Sequence, residues 1–427
     1  MLIEFSVGNF RSFNDPVTLS MVAAKINARD KRVDENNILT IDNELTLLNS
    51  AAIYGANASG KSNLVAAIAF MRNFILNSSR ESQASETIKV EKFKLSTDTS
   101  NHPSFFQTVF LVEGVKYRYG FEVNHEKVLT EWLFSSGTRK EIRLFIRDAD
   151  GIHITRPFKE GQGLQTKTRP NALFLSVVSQ FNGPISKSIQ DWFNNLRIVS
   201  GLNDAGYQGF TLGRFQLDDF RDAIIHLVKS LDVGIDNISS KVIDKSQVTL
   251  PPDIPRELQD YFLKSPENLI SIETSHKIYD PEGKAVATEI FDLAHHESEG
   301  TQKLFFLAGP LLDALANGRV LFIDEMEARL HPLITCEIIR LFTNEFNSKH
   351  AQLIFTTHDT NLLSNKRFRR DQIWFTEKDR VGATHLYALS ELKVRNDASF
   401  EEDYIEGKYG AIPFIGDLRR LFLTEEK

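Results

Sequence analysis

One octapeptide limits the possible folds of this chain more than any other feature: Gly55-Ala56-Asn57-Ala58-Ser59-Gly60-Lys61-Ser62. It meets the pattern Gly-x-x-x-x-Gly-Lys-Ser throughout, in the setting such a loop requires. Ahead of it Asn49-Ser50-Ala51-Ala52-Ile53-Tyr54 is a short apolar run that stops at Gly55, as a buried strand does. Behind it Leu64, Ile68, Met71 and Ile75 recur at helical spacing. Glycines let successive backbone N–H groups turn toward an anion, and the helix beginning near Lys61 adds its positive end. In such a loop Lys61 bridges the β- and γ-phosphates of ATP, Ser62 offers its hydroxyl to Mg²⁺, and Asn63 stands next to them at the nucleotide.

A second motif answers the first. Leu321-Phe322-Ile323-Asp324-Glu325 is an apolar strand ending in two acids. Asp324 is placed to hold Mg²⁺ opposite Ser62, and Glu325 to polarise the attacking water as general base. Ile354-Phe355-Thr356-Thr357-His358 supplies another strand, ending in an imidazole that contacts the γ-phosphate or fixes the water held by Glu325. Roughly 260 residues lie between Ser62 and Asp324, so the gap has to contain an inserted lobe.

The intervening sequence changes character twice. Phe105–Val112, Val115–Val123, Val128–Phe134 and Glu141–Arg147 alternate like strands and are split by turns. Ala172–Val178 reads as a buried strand or the start of a helix, and Ile185–Leu196 and Leu217–Leu231 read as helices. Ala24–Glu44 is polar and charged and reads as an exposed loop or a poorly ordered segment. The final third returns to helices at Lys303–Leu315 and Leu333–Phe346, alternating with strands at Val320–Asp324, Gln352–Thr357 and Gln372–Phe375. Short strands alternating with helices predict a mainly parallel sheet, whose ligands sit at the C-terminal strand ends. The expected division is 1–180 for the N-terminal part of the head with a β-rich subdomain, 181–285 for an inserted, mainly helical lobe, and 286–427 for the rest of the head.

Bulk properties exclude several classes. Apolar residues make up 41% and charged residues 25%, with 32 Phe to fill a core, which is ordinary for a globular chain. The net charge of -7 gives no global basic field for nucleic acid, although Lys366, Arg367, Arg369 and Arg370 form a local cluster. Cys336 is the single cysteine, so an internal disulfide is excluded. The start lacks the features of a signal peptide, and Leu304–Leu315 is too short to span a membrane and carries Asp313. A cytoplasmic location follows as the expectation.

The order of these motifs resembles the ATP-binding-cassette type heads shared by SMC, RecF and OLD-like proteins. Ser298-Glu299-Gly300-Thr301 looks like a divergent form of their signature motif, with Glu297 and Glu299 in place of the usual leucine and glycine and Thr301 in place of glutamine. The resemblance implies an α/β P-loop NTPase of ABC-ATPase type with a β-rich N-terminal lobe. It also implies a homodimer, or a higher oligomer, in which Ser298 and Gly300 grip the γ-phosphate bound by the opposite copy. A capping role for Ser298 at the following helix stays open beside that reading. Ala328-Arg329-Leu330-His331 would match the loop that crosses the dimer seam. Gln180, with Gln107 as a rival, would match the glutamine that senses Mg²⁺ and water. Asn9, Phe10 and Arg11 would approach the nucleotide or its loop, with an ordinary surface place for Arg11 open beside that reading.

More narrowly, the chain resembles a bacterial branch described as AAA15-family ATPases of the RloA and abortive-infection type. The resemblance runs through Tyr117–Glu122, Asn171–Ser176 and the tail Glu406–Pro413. It implies a slow, regulatory Mg-ATPase acting in phage defence beside a separate nuclease or effector, such as an RloB-like partner. Other readings are a RecF- or SMC-like DNA-repair ATPase, a transporter motor, and a scaffold that barely hydrolyses ATP. An OLD-like nuclease would need clustered carboxylates after His358. The acids there (Glu377, Asp379, Glu391, Asp397, Glu401, Glu402 and Asp403) are scattered.

Overall fold

A computed structural model describes residues 1–80, 86–137, 140–231, 234–243 and 269–413. The chain divides into two compact units: Met1–Leu202 with Ala314–Glu327 and Ile338–Lys427, and Asn203–Asp313 with Ala328–Glu337.

The first unit is built on two sheets. One is antiparallel, in the order β10-β9-β8-β7-β6-β1-β2. Its strands are β1 (Leu2–Gly8), β2 (Val17–Ser20), β6 (Ser104–Val112), β7 (Val115–Val123), β8 (Val128–Ser136), β9 (Glu141–Asp148) and β10 (Gly151–Ile154). The other runs β11-β15-β16-β5-β17-β18. It comprises β5 (Ser50–Tyr54), β11 (Arg197–Ser200), β15 (Val320–Asp324), β16 (Gln352–Thr356), β17 (Ile373–Lys378) and β18 (Thr384–Ala388), all parallel to their neighbours except β18. The strand β5 is buried at every residue, as expected for a parallel strand covered on both faces. The helix α2 (Lys61–Asn77) buries Leu64, Ala67, Ile68, Met71 and Ile75 in a core that also takes in inner residues of both sheets. Phenylalanines fill that core: Phe74 and Phe121 meet edge to face with ring centroids 5.5 Å apart, and Phe70 and Phe106 are tilted by 32° with centroids 4.9 Å apart.

Local chemistry decides two segments that the sequence left open or misplaced. Phe174–Gln180 is the helix α3, not a strand. The fully buried carboxylate of Glu131 on β8 accepts the N–H groups of Phe174 at 2.7 Å and Leu175 at 3.0 Å, and so satisfies the first turn of that helix. Burial raises the Glu131 pKa, while Arg147 and these donors favour its charged form. Ala24–Glu44 is not an open loop. It forms the short helix α1 (Lys31–Asn37), capped by Asp30, and the strand β3 (Ile38–Thr40), paired with β4 (Thr46–Leu48).

The second unit begins at Asn203, not near 181, and extends to Asp313. The helix α4 (Pro184–Asn195), expected in the inserted lobe, belongs to the first unit, where Gln190 meets Ser179 of α3 at 2.5 Å. The second unit carries α5 (Ala205–Phe215), α6 (Asp218–Leu231), the antiparallel strands β12 (Asn237–Ile243), β13 (Leu269–Tyr279) and β14 (Ala285–Asp292), the short helix α7 (Leu293–His296) and most of α8 (Glu299–Asn317). Pro310 inside α8 has no N–H for the carbonyl of Phe306 one turn earlier. The Thr211 hydroxyl of α5 donates to that carbonyl instead. Gly309 permits the approach, since a Cβ there would lie 2.3 Å from the Thr211 hydroxyl. Arg214 and the buried Asp313 close the same contact at 2.9 Å.

Arg369, expected in a basic surface cluster, is only 1% exposed. It pairs with Asp371 at 2.8 Å and with Asp34 of α1, so it is a core ion-pair residue and not a free phosphate ligand. Arg369→Ala leaves two carboxylates without their cation, and is expected to destabilise the chain by about 3–5 kcal/mol in urea denaturation. A loss below about 1 kcal/mol would show that the pair is solvated.

Candidate functional site

Parallel pairing brings the strand ends level. Ser200 lies beside Asp324, Ile323 beside Phe355, and Thr356 beside Ile53, so the segments after β11, β15, β16 and β5 emerge at one edge. The phosphate loop occupies that edge between β5 and α2. Gly55 has φ +154° and Gly60 φ +121°. A Cβ on Gly55 would meet the Thr376 carbonyl at 2.4 Å, and one on Gly60 the Thr384 hydroxyl at the same distance, so backbone strain and space both require glycine. The loop is pinned from β17 and β18: Ser59 Oγ lies 2.6 Å from Thr376 Oγ1, and Thr384 Oγ1 donates to the Ser59 carbonyl at 2.8 Å. Asn63 donates to Ser12 Oγ at 2.8 Å and is thereby tied to the same brace.

Lys61 is buried in the loop it serves. Its Nζ donates to the carbonyls of Gly55 at 2.8 Å and Ala56 at 3.1 Å. Desolvation lowers its pKa, and the nearby carboxylates of Glu325, Asp324 and Glu327 oppose that shift. Ser62 Oγ donates to Asp324 Oδ1 at 3.2 Å. Two adjacent oxygen ligands of an octahedral Mg²⁺ stand about 2.9 Å apart, so this hydroxyl and carboxylate suit that ion in spacing and in hardness. Thr356 Oγ1 donates to the same Asp324 oxygen at 2.6 Å and accepts the N–H of Glu325 at 2.8 Å. Glu325 has φ +52°, in the left-handed region, which aims the residue after the strand differently from a regular continuation. His358 follows β16, and its N–H donates to Glu327 Oε1 at 2.6 Å. Burial lowers the His358 pKa and the charge of Lys61 lowers it further, which favours the neutral imidazole.

Other expected residues lie elsewhere or do other work. Gln180 is not at this edge. Ser176, one turn before it, donates to the Ile75 carbonyl at 2.6 Å, and Ile75 lies about 20 Å along α2 from Ser62. Gln107 accepts from Trp132 and Arg118, both at 3.2 Å, and is committed to the antiparallel sheet. Asn9 is buried, with its side chain bonded to Thr99, His102 and Phe93, and Phe10 is in the core. Arg11 pairs with Glu91 at 2.9 Å, beside an open cavity of about 410 Å³ that Asn63, Lys92 and Lys94 also line. In the second unit Ser298 caps α8, accepting the Thr301 N–H at 3.1 Å, and Gly300 passes so near Arg329 that a Cβ would be 2.8 Å from its carbonyl. Arg329 has φ +63° and pairs with Glu299 at 3.3 Å and Asp204 at 3.5 Å. The late acids have local partners: Asp379 with His385, Asp397 with Arg395, and Asp403 with Lys408. Among the described residues no three or more His, Cys, Asp or Glu side chains gather where they could hold a metal ion, and no helix is long and apolar enough to cross a membrane.

Sequence reasoning missed four contributors to the site: Ser12, Thr376, Thr384 and Gly201. The first three carry no motif, because their hydroxyls reach the loop only after the sheet has formed. Gly201 had a signal. Arg197-Ile198-Val199-Ser200-Gly201 repeats on a small scale the apolar run into glycine seen at Ile53-Tyr54-Gly55. Its N–H donates to the Asp324 carbonyl at 2.6 Å, and a Cβ on it would fall 1.9 Å from the Glu325 carbonyl. Gly201→Ala therefore has to displace Glu325. A loss of about 100-fold in ATP turnover is expected, with nucleotide affinity nearly unchanged. Parallel turnover and fluorescent-nucleotide titration would check this, and undiminished turnover would refute it.

Residues 50–364 match the family described as "AAA domain, putative AbiEii toxin, Type IV TA system". No curated protein matches the sequence. Among solved structures, the SMC head domain from Thermotoga maritima aligns at 13% identity over 92% of this chain and 99% of that one, with a TM-score of 0.42. The SmcHead bound to the C-winged helix domain of ScpA aligns at 14% over 91% and 97%, with a TM-score of 0.46. An Smc head with an extended coiled coil, bound to the C-terminal domain of ScpA derived from Pyrococcus furiosus, gives 12%, 96% and 98%, and 0.38. At such identities and scores the assignment rests on the family match and on the site itself. With a phosphate loop, an acid-ended neighbouring strand, a β-rich N-terminal lobe and an inserted lobe bearing helices, the chain has the P-loop ATPase fold of ABC type, and it belongs to the AAA-domain family of putative AbiEii toxins.

Proposed function

We propose that the chain is a slow, regulatory Mg-ATPase, that two copies close around ATP, and that this closure switches a partner effector in bacterial defence against phage. The observation that carries the ATPase reading is the convergence of Ser62, Asp324 and Thr356 beside the buried Lys61. Mg²⁺ held by Ser62 and Asp324 would withdraw charge from the phosphates. Lys61 would leave the carbonyls of Gly55 and Ala56 for the β- and γ-phosphates. Glu325 would take a proton from the water that attacks the γ-phosphorus, giving ADP and phosphate. His358, kept neutral, would hold that water or a γ-oxygen through its side chain.

Closure between copies rests on the signature-like turn. Ser298 and the N-terminus of α8 present donors of the kind that a γ-phosphate lacks when bound by one head alone. The defence role is supported by the family description, which names a putative AbiEii toxin and a type IV toxin–antitoxin system. The DNA-repair alternative loses its main support, because Arg369 is buried in an ion pair and Arg370 donates to the Val394 carbonyl with its side chain.

Three substitutions test the reading. Lys61→Ala is expected to weaken Mg-ATP binding at least about 100-fold in a fluorescent-nucleotide titration. Glu325→Gln should bind normally, hydrolyse at least about 100-fold more slowly, and gain copies on Mg-ATP addition in sedimentation. Ser298→Asp keeps a good helix cap but sets a carboxylate against the triphosphate, so it should bind ATP and fail to associate in response to it. ATP-responsive association of Ser298→Asp equal to that of the parent would rule out its place in a shared site.

A further inference from the structure

The segments that follow β15 and β16 stay bonded to each other beyond the ends of their strands. At the sheet edge the Glu325 N–H meets the Thr356 hydroxyl at 2.8 Å, and the Met326 N–H meets the Thr356 carbonyl at 3.1 Å. Glu327 carries the pairing further. Its Oε1 accepts the N–H of His358 at 2.6 Å, a short, charge-assisted bond. Its Oε2 is closed to solvent and has no hydrogen-bond partner among the described residues. A carboxylate in that setting loses much by releasing the donor it has. The N–H groups on either side of His358 are taken elsewhere: Thr357 donates to the Ile53 carbonyl at 3.1 Å, and Asp359 to the Thr357 hydroxyl at 3.0 Å. Of these three consecutive N–H groups, the one on His358 crosses to the acid-bearing segment. Thr356 and Thr357 are fully buried, whereas His358 is exposed, so packing holds it less than its neighbours.

We propose, on the roles given above to Glu325 and His358, that Glu327 is a positioning residue: it holds His358 in place relative to Glu325, so that imidazole and general base address the same water. Glu327 acts through His358 and not on the reacting atoms. It stands two residues after Glu325 on one segment and grips His358 on the other, which keeps the two side chains at a set separation whatever the substrate does. The carboxylate also lies near enough to the imidazole for its charge to raise the His358 pKa, against burial and Lys61. Taking that charge away favours the neutral imidazole further. It also lessens the repulsion that a triphosphate meets. Neither change slows hydrolysis or weakens binding, so a slower reaction without the carboxylate reports lost position and not lost charge.

In the full chain Glu327→Ala is expected to lower ATP turnover at least about tenfold, with nucleotide affinity not reduced. Glu327→Gln keeps a carbonyl oxygen for the His358 N–H and should stay within about threefold of the parent. In a His358→Ala background Glu327→Ala should cost less than about twofold, because the imidazole it positions is gone. Hydrogen exchange resolved to single amides gives a reading that needs no turnover. The His358 N–H should exchange at least about tenfold faster in Glu327→Ala, with the Thr357 N–H unchanged as the sign of an intact fold. An equal loss of turnover from Glu327→Ala with and without the imidazole would overturn the proposal. So would Glu327→Gln as slow as Glu327→Ala, or a His358 N–H that exchanges no faster. A parent chain that hydrolysed no ATP would count against the ATPase reading, and the exchange rates would still decide whether Glu327 holds His358.

Discussion

A single hydroxyl couples the two acids on which the nucleotide edge depends. The Thr356 hydroxyl donates a hydrogen bond to Asp324 and accepts one from the Glu325 N–H, at 2.6 Å and 2.8 Å. The arrangement needs Thr356 to stand one strand away from Asp324 at the same height, which parallel pairing of β15 with β16 delivers. An error of one residue in that register would turn Thr356 to the opposite face of the sheet. Asp324 would then lose its anchor, and the unusual backbone of Glu325 its restraint. Burial of β5, β15 and β16 on both faces makes such an error costly, because a slip misfits the side chains packed there and draws polar residues from the strand ends into the covered sheet.

The same restraint explains why Glu325 tolerates a positive φ. A non-glycine residue in that region carries about 1–3 kcal/mol of strain, and it persists only where its surroundings over-determine it. Here its N–H is held by Thr356, and Gly201 closes against its carbonyl side with no room for a Cβ. Its neighbours on either side are fixed too, since Asp324 is bonded to Ser62 and the Met326 N–H to the Thr356 carbonyl. The side chain, by contrast, is only partly buried, as a group that meets water must be. A strained backbone under a partly exposed carboxylate would suit the general base proposed above, whose position must not depend on the substrate.

What the sequence disclosed and what it concealed follow from the range of the interactions. Gly55–Ser62 was legible because its chemistry is local: the glycines, lysine and serine act within one turn of chain. Asp324, Glu325 and His358 were legible because each ends an apolar run. Thr376 and Thr384 were not, because strands β17 and β18 bring them to the loop from more than 300 residues away. Gln180 was misread for the opposite reason. Its local pattern looked right, but Glu131 starts α3 at a place that Ser176 then ties to the remote end of α2. The buried Arg369 failed in the same way, since a run of basic residues looks identical whether or not its middle member finds two carboxylates in the core.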